Sequence, residues 1–272
     1  MRQITRQLAL VSSLTVLLTA LPTANHTWGN YHWGKSTSVL TLQTGDNVDS
    51  RWDAYLNEAI EDWTASVVIN LVKVAGGTTG RKCRPTGGRI EVCNARYGNN
   101  GWLGIAQIWI SGSHITQAIT KLNDTYFDTP TYNTPPWRRL VTCQEIAHDF
   151  GLDHQDETFN NPNLGSCMDY TNDPDGGAGG ASNNDPSNEH PNNHDYTQLV
   201  SIYNHTDSTS TATLEPPTSR RGAEEQENWG RLVRSGGGGR VQIYELDLGG
   251  GGKKITHVFW ADPERDRQGR EH

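Results

Sequence analysis

The sequence has no lysine-rich or arginine-rich stretch, and its 31 acidic residues outnumber its 23 basic ones. A polyanion would find no positive face to settle on, so nucleic acid is excluded as a partner. Long apolar runs are missing too, with one exception at residues 8–21, which follows Arg2 and Arg6 and is broken by Pro22. Short, rich in Ser and Thr and preceded by basic residues, that run reads as a secretory signal peptide over residues 1–24, cut near Ala20 or Ala24, rather than as a membrane anchor. No other segment is long and apolar enough to span a bilayer, so no membrane contact is expected once the leader is gone. Cysteine is sparse, at four residues. In an exported chain these read as two disulfides with three possible pairings, and their spacing is too wide for a cysteine metal site. The glycine runs at 236–239 and 249–252 lack both a strand–turn–helix context and a basic partner, which removes phosphate binding.

What is present suits a globular secreted chain. The 272 residues are enough for one good-sized domain with an appendage, and an apolar fraction of 33% with mean hydropathy −0.69 makes the chain polar without being disorder-like. Nine tryptophans and nine tyrosines supply large buried surfaces despite only four phenylalanines. The net charge of −8, two units more negative without Arg2 and Arg6, fits a soluble extracellular protein. Nothing in the sequence specifies an oligomeric state.

Local patterns give the elements. Residues 25–34 are aromatic and glycine-rich, with tryptophans suited to packing on the domain, and His26 and His32 read there as structural. Residues 38–42 alternate as a strand. Asp49 or Ser50 caps a helix whose Trp52, Leu56, Ala59, Ile60 and Trp63 form one apolar stripe. The β-branched run at 66–74 is a buried strand, so strand, helix, strand predicts a parallel crossover. Further strands are expected at 89–96, 103–110 and 114–122. Thr134-Pro135-Pro136 opens a helix reaching about residue 150.

The chemistry concentrates at Cys143 to His154, CQEIAHDFGLDH. Gln144 and His148 lie four apart and project from one helical face, with Glu145 beside them. Gly151 lets the backbone leave the helix through a left-handed conformation, which returns His154 towards the same point.

This stretch resembles the HExxHxxGxxH zinc motif of the metzincin metallopeptidases, read here as matrixin-like. It matches at Glu145, His148, Gly151 and His154 and carries Gln144 where the family has its first histidine. Residues 165–170, GSCMDY, resemble the family's methionine turn. The resemblance implies an α/β (α+β) fold: a metzincin-like twisted mixed β-sheet with about three helices, the active-site helix being followed by that turn. It implies Zn2+ held by Gln144, His148 and His154, with Glu145 as the catalytic base acting on a zinc-bound water, and Gly151, Met168 and Tyr170 in support. Cys83–Cys93 and Cys143–Cys167 are the pairings it favours, the second tying the helix to the turn. The strand at 103–110 would be the edge above the cleft, along which a protein or peptide substrate is laid by β-augmentation.

Gln144 leaves room for a substitute ligand, either a water or one of His114, His190 and His194, because a neutral amide oxygen is a poorer zinc donor than imidazole. Asp173, Asp175 and Asp185, in the glycine-rich loop 172–190, are oxygen ligands of the kind calcium takes, at a spacing that matches no calcium loop. Residues 193–205 resume a helical pattern and close a metallopeptidase domain at 25–205. A Ser/Thr/Pro/Arg linker follows at 206–222, then a Gly-rich appendage at 223–272 whose alternating runs 240–248 and 254–261 form a hairpin that must dock or stay mobile. The expected function is that of a secreted zinc-dependent metalloendopeptidase. The alternatives are a catalytically silent relative that binds proteins or peptides, and an extracellular structural protein with a fold-stabilising metal.

Overall fold

A computed structural model describes residues 26–177, 184–213 and 228–262. The expected leader, most of the expected linker and the last ten residues lie outside the described residues. Leu40 and Leu42 point into the core from β2 (Leu40–Asn47), which pairs in parallel with β3 (Ile69–Ala75) after a crossover through α1 (Asp53–Thr64). Strands β4 (Ile90–Ala95) and β6 (His114–Asn123) continue the parallel set, and the short β1 (His32–Trp33) pairs with the start of β6. β5 (Trp102–Ser111) runs antiparallel to β6. The helices are α1, the single-turn α2 (Asp124–Phe127), α3 (Pro135–His148) and α4 (Asn193–Tyr203), so a mixed α+β fold with three long helices is what the sequence folds into. None of them is long and apolar enough to cross a membrane.

The sheet does not stop at β5. β7 (Arg231–Gly236), β8 (Val241–Gly249) and β9 (Gly252–Trp260) extend it, in the order β3-β2-β4-β6-β5-β9-β8-β7. The expectation that 103–110 is a free edge is therefore corrected: β9 pairs with β5 from Trp102↔Trp260 to Ser111↔Gly252. The physical reason is the hairpin's own need. Two strands alone are marginal in water, and the unpaired backbone of β5 is the row of donors and acceptors that completes them. Val241, Ile243, Ile255 and Phe259 join the same apolar cluster as Trp63, Leu140 and Met168, so the C-terminal strands share the main core.

α3 crosses the sheet at β5. There Gly104 has no side chain, and a Cβ would come within 2.6 Å of Val141 Cγ1 and 2.8 Å of Glu145 Cγ. Arg138 fixes the start of the helix by lying over the Trp52 ring at 4.3 Å and donating to the Phe127 carbonyl. The helix ends at His148, two residues before the expected end, because Asp149 to Leu152 turn back on it through 3.1–3.3 Å backbone bonds. Gly151 takes φ +95°, and any Cβ there would sit 2.3 Å from the Tyr31 carbonyl. Segment 206–213, expected as linker, is held to the sheet by Thr211 N–H to Gly34 and Thr213 N–H to Gly88.

Candidate metal centre

α3 and the turn after it place two imidazoles face to edge. His148 Nε2 and His154 Nε2 are 3.1 Å apart, with ring centroids 4.6 Å apart at 79°. His148 Nδ1 donates to the Leu152 carbonyl at 2.8 Å, which leaves its Nε2 with a lone pair. His154 Nδ1 faces Glu157 Oε1 at 3.4 Å and Asp153 Oδ1 at 3.6 Å, which favours the same tautomer. Two lone pairs pointed at each other repel unless a proton or a cation lies between them. For ligands 2.0–2.1 Å from a tetrahedral zinc the expected separation is about 3.3 Å, close to the one seen. Burial first, and then the neighbouring His154, push the His148 pKa down to about 3, so the ring is neutral and ready to ligate.

Gln144 is fully buried one turn earlier on the helix. Its Nε2 donates to the Cys167 carbonyl at 2.7 Å, and its Oε1 is left with no partner. A buried acceptor left unpaired is costly, and here it is the one atom of the amide able to ligate a cation. Glu145 is likewise buried; its carboxylate accepts from the Ala106 N–H while Oε2 has no partner. Burial, followed by the like charge of Asp149, pushes its pKa well above the usual carboxylate range. The chemistry and orphaned atoms of this donor set fit a zinc ion.

The disulfides join Cys83 to Cys93 and Cys143 to Cys167. The second fastens the residue before Gln144 to the residue before Met168, which is itself buried and gives its carbonyl to Gln155 N–H. Tyr170, expected near the ion, has its hydroxyl engaged instead: it donates to the Arg240 carbonyl at 2.7 Å and accepts from Trp260 N–H at 3.0 Å. Its ring still lies 5.8 Å from that of His154. The three histidines considered as substitutes for Gln144 are elsewhere. His114 meets Asp207, His190 meets Asp62, and His194 meets His26. Asp173, Asp175 and Asp185 form no ligand cluster among the described residues.

The residue that the sequence did not single out is His257 of β9. It stands opposite Ala106 in register, stacks on His148 at 4.1 Å with rings 16° from parallel, and is buried with both ring nitrogens unpartnered. Burial, then His148 and His154, push its pKa well below the usual histidine value. An imidazole lone pair lies in the ring plane, so two stacked rings do not aim at one ion. His257 covers His148 rather than completing its ligand set. The available signal was its parity with Ile255 and Phe259, which puts an imidazole on an apolar face.

No family model and no curated protein matches the sequence. Among solved structures, one that resembles it is high choriolytic enzyme 1, a hatching enzyme zinc-protease from Oryzias latipes (medaka fish). The likeness has a TM-score of 0.36 at 15% identity, over 65% of this chain and 96% of that one. A likeness that distant says nothing about activity, so function is read from the chain's own residues.

Proposed function

We propose that the chain is a secreted zinc-dependent metalloendopeptidase of the metzincin, matrixin-like kind, with its cleft covered by its own C-terminal hairpin. The observation that carries the reading is the 3.1 Å approach of the His148 and His154 Nε2 atoms, one turn from an unpartnered amide oxygen. His148, His154 and Gln144 Oε1 hold the ion. Zinc, when bound, supplies Lewis acidity that activates water and polarises a carbonyl.

The chain's own residues do the rest. Glu145, with a free Oε2 and a carboxylate that burial makes unusually basic, takes the proton from the attacking water and returns it to the leaving amine. Ala106 N–H holds that carboxylate in place. β5 offers the backbone ladder along which an extended substrate lies once β9 has left it. Asp153 and Glu157 orient His154 and at the same time bind Arg234 of β7, whose guanidinium lies 5.0 Å over Trp28.

A second reading, a silent relative that binds proteins or peptides, is favoured by Gln144 and by the occupied β5 edge. Zinc content and broad peptide cleavage are measured on the intact chain and on Arg234→Ala, which loosens the cover. The peptidase reading expects stoichiometric zinc, more cleavage in Arg234→Ala, and loss of that cleavage by about 10²–10⁴-fold when Glu145→Gln is added. Zinc without cleavage in either protein supports the silent relative. Bound metal whose removal unfolds a chain that never cleaves supports a structural role.

A further inference from the structure

β9 runs antiparallel along β5 without a break in register from Gly104↔Phe259 to Ser111↔Gly252. Its alternate side chains Ile255, His257 and Phe259 are buried on the face that α3 covers. His257, opposite Ala106, lies over His148. Two residues further on, the Phe259 ring lies 4.3 Å from that of Tyr170 and 6.4 Å from that of Trp137, which in turn meets Tyr132 at 5.1 Å. This aromatic seat stands opposite Gly104, where the missing side chain lets Val141 and Glu145 of α3 close on β5.

We propose that β9 is an internal mimic of the peptide the cleft accepts: an extended strand with an aromatic ring two residues after the one over His148 and a branched aliphatic side chain two residues before it. The proposal rests on the reading of β5 as the edge along which a substrate lies. Backbone pairing to such an edge supplies affinity whatever the sequence, and seats for alternate side chains supply the choice. Here the seats are visible because they are filled. The ring position is the selective one, since Tyr170 and Trp137 favour an aromatic partner beyond the area it buries. The Ile255 seat, opposite Ile108 and within the main apolar cluster, needs only aliphatic bulk.

A permanent core strand explains β9 less well. Its central buried position carries an imidazole whose two nitrogens have no partner, and Trp260 Nε1 has none either. A strand that never left would be better served by an apolar residue at 257, because buried polar atoms without partners are costly. Polar contacts hold the hairpin down: Arg234 on Asp153 and Glu157, and the Tyr170 hydroxyl on the Arg240 carbonyl. Carried on the same chain, β9 meets its seats at an effective concentration on the order of mM. A free copy of the strand must displace it, so the closed chain is a poor receptor for that copy.

The test uses the full chain with Glu145→Gln, which leaves a bound peptide uncut whether or not the chain is a peptidase. The probe is a fluorescently labelled synthetic peptide of residues 252–261. Adding Arg234→Ala, which loosens the cover, is expected to tighten probe binding at least about ten-fold over Glu145→Gln alone. Phe259→Ala in the chain, which empties the ring seat itself, is the second variant and should act in the same direction. In both, a probe carrying Phe259→Ala should bind at least about ten-fold more weakly, and one carrying Phe259→Leu about three-fold more weakly. Absence of probe binding to both variants overturns the proposal. So does binding to Glu145→Gln alone as tight as to either variant, or equal binding of the Phe259 and Phe259→Ala probes. Absence of zinc or of cleavage with Glu145 in place overturns the peptidase reading instead and leaves these affinities where they are.

Discussion

Gln144 divides its amide between two tasks: Nε2 holds the Cys167 carbonyl, and Oε1 faces the interior unpaired. The free oxygen is neutral, so it contributes less to a zinc site than an imidazole nitrogen would. Gln144→His is therefore expected to tighten zinc at the candidate centre by on the order of ten-fold, about 1.4 kcal/mol. Competition with a chromophoric chelator reads this directly, and unchanged affinity would mean that the side chain at 144 does not touch the ion. His26 gives a prediction of another kind. It is buried, with Nδ1 donating to the Asp153 carbonyl at 2.8 Å and Nε2 2.9 Å from His194. Burial, aided by the charge of His194, outweighs the Asp153 carbonyl and pushes its pKa down to about 4. Unfolded, the ring protonates near 6.5, so between those values the unfolded chain binds the extra proton. The stability from His26 is complete above about pH 6.5 and is lost as the pH falls towards 4, on the order of 3 kcal/mol in all. Urea midpoints at pH 7 and pH 4.5 should diverge less in His26→Gln than in the wild type; equal divergence would place the acid sensitivity elsewhere.

At the scale of elements, the hairpin β8–β9 is fixed by more than its ladder. Arg234 bridges Asp153 and Glu157, Tyr170 bonds Arg240 and Trp260, and Arg240 lies 4.0 Å over the Phe159 ring. Removing the first two contacts with Arg234→Ala and Tyr170→Phe is expected to speed amide exchange along residues 253–259 while α1 and β2 keep their protection. Equal acceleration everywhere would mean that these contacts support the whole molecule and not the cover. The hairpin also shows what the sequence disclosed and what it withheld. Alternation marked 240–248 and 254–261 as strands, just as β-branched runs marked β3 and the Pro-Pro start marked α3, because these signals are local. The partner of β9 was not legible. Nothing within residues 252–260 specifies pairing with a strand about 150 residues away, and the edge of β5 exists only once the sheet has formed. His257 was missed for the same reason, since its meaning comes from standing opposite Ala106. The motif at 144–154 was legible because helix period and a single glycine turn fix its geometry over eleven residues.

For the whole molecule, the decisive feature is that one apolar cluster holds Trp52 at the cap of α1, Trp63 of α1, Val141 and Ile146 of α3, and Ile255 and Phe259 of β9. A C-terminal unit hung on a linker would melt by itself, but a unit whose side chains complete the main core melts with that core, and β9 leaves β5 only by a local opening short of melting. The candidate metal centre lies beside that shared core, with His257 stacked on His148. Binding to the folded state at 100 times Kd adds about 2.7 kcal/mol, worth roughly 5–11 °C of Tm for a domain of this size. Calorimetry of the intact chain is therefore expected to give one transition with zinc and one without, displaced as a whole by that amount when the candidate centre is emptied. Arg234→Ala should lower the same transition without splitting it. A separate low-temperature peak, insensitive to zinc and removed by cutting the chain within residues 214–227, would show instead that the hairpin is a detachable unit and that its contacts through Phe259 and His257 add little to the core.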